Sequence, residues 1–117
     1  MTRPRKWKNV CCLPPVREFG PLDPASADAG VVRMDVEEYE TIRLIDHLGM
    51  TQEECAERMG VARTTVQSIY SEARRKVARS LVEGLPLIID GGRYRLCEHG
   101  EVCRKHRACR RLQGAPR

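Results

Sequence analysis

Between Asp35 and Gly84 the sequence marks where helices begin and end. Asp35 and Thr51 are each followed three residues later by a glutamate, Glu38 and Glu54, the pairing in which cap side chain and glutamate satisfy each other's orphan backbone donors. Met34 with Tyr39, and Met50 with Cys55, add a hydrophobic staple across each start. Gly49, Gly60 and Gly84 stand where each segment would close, because glycine takes the left-handed conformation without a Cβ penalty. The spacing predicts helices over 35–48, 51–60 and 63–83, and Pro86 blocks any continuation of the third. Val66, Ile69, Tyr70, Ala73, Val77 and Leu81 form the apolar stripe of that long helix.

The spacing Ala56-x3-Gly60-x5-Val66-x2-Ile69 narrows the arrangement further. Only a small side chain fits where two steeply crossed helices touch, Gly60 takes the turn, Val61 plugs the space beneath it, and Val66 and Ile69 bury the inner face. These are the requirements of a helix-turn-helix, in which the second helix stands out from the body. With Val66, Ile69 and Ala73 inward, 3.6 residues per turn leaves Thr64, Gln67, Ser68, Ser71 and Arg75 outward and Thr65 on the flank. Such a face suits the major groove: Gln67 for an adenine edge, Thr64 or Thr65 for a thymine methyl, Arg63 and Arg75 for guanine or phosphate. Arg74, Lys76 and Arg79 lie farther along, suited either to phosphate contact or to plain solvated helix surface.

Charge is unevenly laid out around a net +5. Asp35 to Gly60 is strongly acidic, whereas Ala62 to Ser80, the residues from Arg93 onward and the start Arg3-Pro4-Arg5-Lys6 are basic, a layout suited to turning one side toward a polyanion. The start lies either in a minor groove or along phosphates, or is a disordered basic terminus. No apolar run approaches a membrane span or a secretory signal, so the expectation is a cytoplasmic protein without a membrane partner. Nucleophile motifs, phosphate loops and paired carboxylates are lacking, which argues against an enzyme.

The flanks complete a mainly α expectation: an extended, proline-rich arm over 1–34, the helix-turn-helix domain over 35–84, a small β-hairpin over 85–96 turning at Asp90-Gly91-Gly92, and a Cys/His-rich basic tail over 97–117. Cys97, His99, Cys103, His106 and Cys109 crowd into that tail. They supply enough sulfur and nitrogen for a tetrahedral zinc ion, with Cys11 or Cys12 as extra ligands; reduced thiols in a disordered tail, an iron-sulfur cluster and a redox switch are the alternatives.

The span from Asp35 to Leu81, through Glu38-Tyr39-Glu40, Ile42-Arg43-Leu44, Gly49-Met50-Thr51-Gln52-Glu53-Glu54-Cys55-Ala56 and Met59-Gly60-Val61, resembles the fourth region of bacterial sigma factors, which binds promoter DNA. A second resemblance covers almost the whole chain up to about Leu96. Arg3-Pro4-Arg5-Lys6, Phe19-Gly20-Pro21, Val36-Glu37-Glu38-Tyr39-Glu40, Ala73-Arg74-Arg75-Lys76-Val77-Ala78 and Gly91-Gly92 are similar to uncharacterised protein family two-fifty-one, small prokaryotic proteins predicted to bind DNA. Ala62 departs from the usual serine cap, a loss worth about 1 kcal/mol, so no phosphate contact from a cap hydroxyl is expected. Together these features imply a sequence-specific binder of double-stranded DNA and transcriptional regulator, with a homodimer on paired half-sites as one arrangement. The alternative is a protein-interaction module that contacts RNA polymerase or another regulator through the same sigma-like fold.

Overall fold

The computed structural model describes residues 7–23 and 30–97. In chain order the elements are β1 (Lys8–Val10), β2 (Glu18–Phe19), β3 (Val32–Met34), α1 (Val36–Thr41) running on into a π-helical stretch (Ile42–His47), α2 (Gln52–Met59), α3 (Arg63–Glu83), β4 (Leu87–Ile89) and β5 (Tyr94–Leu96).

The helix starts follow the capping grammar. The Asp35 amide donates to Glu38 Oε1 at 2.8 Å, and Thr51 and Glu54 bond reciprocally at 2.9 and 3.1 Å. Gly49, Gly60 and Gly84 close the three segments at φ of 80°, 71° and 69°. The first segment is not one uniform helix: its second half widens, with the Leu48 amide reaching back five residues to the Arg43 carbonyl at 3.0 Å. Just before the widening, the Thr41 hydroxyl donates to the Glu38 carbonyl at 2.7 Å, a side-chain competitor for the backbone ladder that loosens a helix.

Two apolar clusters share α3 as a wall. Leu44, Cys55, Ala56, Met59 and Val66 fill the space between the π-helical stretch, α2 and the start of α3. Val10, Val32, Met34, Val36, Ala73, Leu85, Leu87 and Ile89 fill the space between the strands, α1 and the middle of α3. Leu81 departs from the expected stripe and is 78% exposed, with Val82 beside it at 85%. After Gly84 the chain folds back, with the Leu85 amide bonded to the Ser80 carbonyl at 3.0 Å, and leaves these two side chains uncovered.

The expected hairpin over 85–96 does not form. β4 lies at the centre of a three-stranded sheet ordered β2-β4-β3, antiparallel to β2 and parallel to β3, whereas β5 pairs in parallel with β1 in a separate two-stranded sheet. Asp90-Gly91-Gly92 passes the chain from one sheet to the other and is held by the start of α1: the Val36 amide donates to the Gly91 carbonyl at 3.0 Å, and the Arg93 amide to the Glu37 carboxylate at 3.0 and 3.2 Å. A two-stranded hairpin alone is marginal in water. Both strands gain more by pairing with the segment read as an arm. That segment is extended, as expected, but not peripheral, since Val10 and Val32 sit in the core.

The two turn glycines near α2 differ in surroundings. A Cβ on Gly49 meets nothing, whereas one on Gly60 comes to 3.0 Å of the Asn9 side-chain amide. Gly49→Ala is expected to cost about 1–2 kcal/mol from the left-handed backbone alone, and Gly60→Ala measurably more. Urea denaturation at unchanged m-value reads the difference.

Candidate functional site

Helix α3 divides into a fixed side and an open side. Val66 and Ala73 are buried, with Ile69, Tyr70 and Val77 half-buried beside them. Around the helix from these, Thr64, Gln67, Ser68, Ser71 and Arg75 are exposed, Arg63 is exposed at the first position, and Thr65 is half-buried on the flank. This is the placement that helical periodicity requires once Val66 and Ala73 face the core. Ala62 precedes the helix without a side-chain cap hydrogen bond.

Polar contacts anchor the fixed side. The Tyr70 hydroxyl donates to Asp46 Oδ1 at 2.6 Å, and the Arg74 guanidinium approaches Asp46 Oδ2 at 3.7 Å while lying 5.5 Å from the Tyr70 ring centre. The Ser80 hydroxyl donates to the Leu85 carbonyl at 2.6 Å. Lys76, one of the candidate phosphate-contacting residues, turns toward the body, with Nζ 2.7 Å from Glu38 Oε1. Arg79 faces Glu83 at 3.4 Å, whereas Arg63 and Arg75 have no ion-pair partner among the described residues. The exposed stripe is therefore polar and largely uncharged, with arginines toward its ends. Arg3, Arg5 and Lys6, and the metal-ligand candidates His99, Cys103, His106 and Cys109, lie outside the described residues; Cys97 lies within them, half-buried.

The inward carboxylates of α1 escape the sequence pattern. Glu37, Glu38 and Glu40 are all buried, and each accepts from one backbone amide and faces one cation. Glu37 takes the Arg93 amide and lies 3.7 Å from Lys8 Nζ. Glu38 takes the Asp35 amide and Lys76. Glu40 takes the Cys11 amide at 3.1 Å and is gripped by Arg43, whose Nε and Nη2 reach its two oxygens at 2.8 Å each. Burial works against the Arg43 charge, but the hydrogen bonds and charge of Glu40 outweigh it and hold the guanidinium above its ordinary pKa. A signal is available: at 100° per residue Glu37 and Glu40 lie only about 60° apart with Leu44 between them and Val36 alongside, so two of the carboxylates fall on the apolar side of the helix, whereas Glu38 lies about 100° from Glu37.

These elements define a mainly α protein with a small strand component. The chain belongs to the family described as "Protein of unknown function DUF134", whose model matches residues 1–97. It is 59% identical over 112 residues to a UPF0251 protein of Desulfitobacterium hafniense (strain Y51), covering 92% of this chain and 90% of the relative. A UPF0251 protein of Halothermothrix orenii is 42% identical over 105 residues, covering 90% of this chain and 78% of the relative. One from Thermoanaerobacter sp. (strain X514) is 42% identical over 114 residues, covering 97% and 99%. No solved structure matches the chain. Among the described residues no helix is long and apolar enough to cross a membrane.

Two measurements check the polar anchors. Arg43→Ala leaves Glu40 buried without its cation and is expected to cost about 3–5 kcal/mol in chemical denaturation, whereas pairing Arg43→Met with Glu40→Gln, which keeps an acceptor for the Cys11 amide, recovers most of it. The hydrogen bond to Asp46, with minor help from desolvation and the Asp46 charge, raises the Tyr70 pKa above its usual value. Its neutral form is thus favoured in the folded chain, so this contribution is present below the ordinary tyrosine pKa and lost as pH rises through the raised one. Asp46→Asn is expected to move the Tyr70 midpoint down toward about 10, read by tyrosinate absorbance.

Proposed function

We propose that this chain is a sequence-specific DNA-binding protein and transcriptional regulator, in which α2, the turn through Gly60 and α3 act as a helix-turn-helix of the sigma region-four kind. The observation that carries the proposal is the exposed stripe Thr64, Gln67, Ser68 and Ser71, bordered by Arg63 and Arg75, on a helix anchored from behind by Asp46 and Glu38. Anchoring matters because a reading helix must reach base edges without first losing the entropy of docking on its own body.

In this arrangement α3 enters the major groove. Gln67 offers an amide that pairs with adenine N6 and N7, Thr64 or Thr65 meets a thymine methyl, and Arg63 and Arg75 reach guanine or flanking phosphates. A good bidentate side-chain pair discriminates by about 1–3 kcal/mol, so two or three such contacts give useful selectivity. Arg74 and Arg79 add phosphate contacts by exchanging Asp46 and Glu83 for the DNA backbone. Lys76 contributes no contact of its own and holds α3 to Glu38. A protein interface built on this face would expose aromatic or large aliphatic side chains at its centre, and the stripe carries none.

Fluorescence anisotropy against random and genome-selected duplexes, titrated with salt, tests the proposal. Affinity should fall steeply as salt rises, and Arg75→Ala should weaken binding to every duplex and reduce the log–log slope by about 0.9 if it lies on a phosphate. Gln67→Ala should cost about 1–3 kcal/mol on the selected site and little on random DNA. Binding indifferent to salt, or unchanged when both residues are replaced together, would exclude this face as the DNA contact.

A further inference from the structure

We propose, resting on the function assigned to α3 above, that the outward face of the β1–β5 sheet is a second DNA contact, which grips the sugar–phosphate backbone beside the groove that α3 enters. Strand alternation builds the face. Lys8 and Val10 turn inward, to Glu37 and to the core, so Asn9 between them and Trp7 before them turn outward. The parallel register sets Arg95 beside Asn9, and one rung earlier the Lys8 amide bonds to the Arg93 carbonyl at 3.3 Å, which brings Arg93 beside Trp7. Asn9, Arg93 and Arg95 are exposed, as is Trp7 at 54%. Two guanidiniums, an amide and an indole therefore share one surface.

Position and charge select the occupant. The Asn9 amide lies against Gly60, so this face adjoins the turn from which α3 departs at Arg63. Neither strand carries an acid, and the Arg93 and Arg95 guanidiniums have no ion-pair partner among the described residues. Glu37, on the inward side of the sheet, is already engaged by Lys8 and the Arg93 amide. Alternate residues of a strand lie about 7 Å apart, close to the spacing of successive phosphates along one DNA strand, and the planar fork of arginine matches phosphate oxygens. Trp7 adds an exposed flat apolar surface suited to a deoxyribose ring. Backbone contacts of this kind fix register and orientation without reading sequence, the complement of what the polar stripe of α3 supplies.

The sequence holds a single tryptophan, Trp7, so its emission reports on this face alone. Titrating the full chain with a genome-selected duplex should change that emission in step with the anisotropy of the labelled DNA. Replacing Arg93 and Arg95 together by alanine should weaken binding to selected and random duplexes by the same factor and reduce the log–log salt slope by about 1.8, at about 0.9 per phosphate. Replacing both by lysine should restore most of the slope, because the charge is kept. Arg93→Ala retains the backbone amide that Glu37 accepts from, and circular dichroism verifies the fold of each variant. A slope unchanged in the alanine variant, a loss confined to the selected duplex, or Trp7 emission indifferent to saturating DNA would overturn the sheet contact and leave α3 in place. Should the alanine variant unfold, the Trp7 emission of the unmodified chain decides alone. If Gln67→Ala and Arg75→Ala change nothing while the sheet variants behave as expected, the contact stands and the reading of α3 falls; no binding to any duplex removes both.

Discussion

The molecule is organised around three carboxylates that α1 turns inward. Moving an ion out of water costs several kcal/mol after relaxation, so each of Glu37, Glu38 and Glu40 must meet a cation and hydrogen-bond donors where it is buried. The partners come from remote stretches of chain: Lys8 and the Cys11 amide from either end of β1, the Arg93 amide from the approach to β5, and Lys76 from α3. Apolar burial is the larger driving force, but it is non-directional and would let a three-residue strand slide along its neighbour. The carboxylates remove that freedom, because a shifted β1 would strand a buried charge. Gly92 shows how little room is left, since any side chain there would run into the Glu37 carboxylate.

Helix α3 inherits its position from this arrangement. Val66 belongs to the cluster among the helices and Ala73 to the cluster under the strands, so the two halves of the core meet through one helix. Small Ala73 lets the strand layer approach closely, while Tyr70 and Lys76 tie the flanks to Asp46 and Glu38. Everything that fixes α3 lies on its inner side. Among the described residues Thr64, Gln67, Ser68, Ser71 and Arg75 make no ion pair or side-chain hydrogen bond with the rest of the protein, which leaves their residue types open to requirements other than stability.

What could be read from the sequence and what could not divides along sequence separation. Caps, boxes and glycine stops act over three to five residues, and each appears where the spacing predicts it; the same local periodicity assigns the exposed face of α3 correctly. The sheets depend on pairings that no local pattern encodes. Leu87–Ile89 and Tyr94–Leu96 have the look of a hairpin around a glycine turn, but β4 finds β2 and β3, and β5 finds β1. Lys76 reads as a surface base because its partner, Glu38, is 38 residues earlier. Leu81 reads as core because periodicity says nothing about where the opposing layer ends.

Strand β1 also touches two places that local sequence keeps apart. From its middle the Asn9 side-chain amide lies against Gly60, in the turn that leads into α3, and just past its end the Cys11 amide is fixed by Glu40. Val10 between them lies in the core and β5 pairs along the whole strand, so the Asn9 contact at the turn is fixed by packing and pairing that involve no residue of the outer stripe of α3.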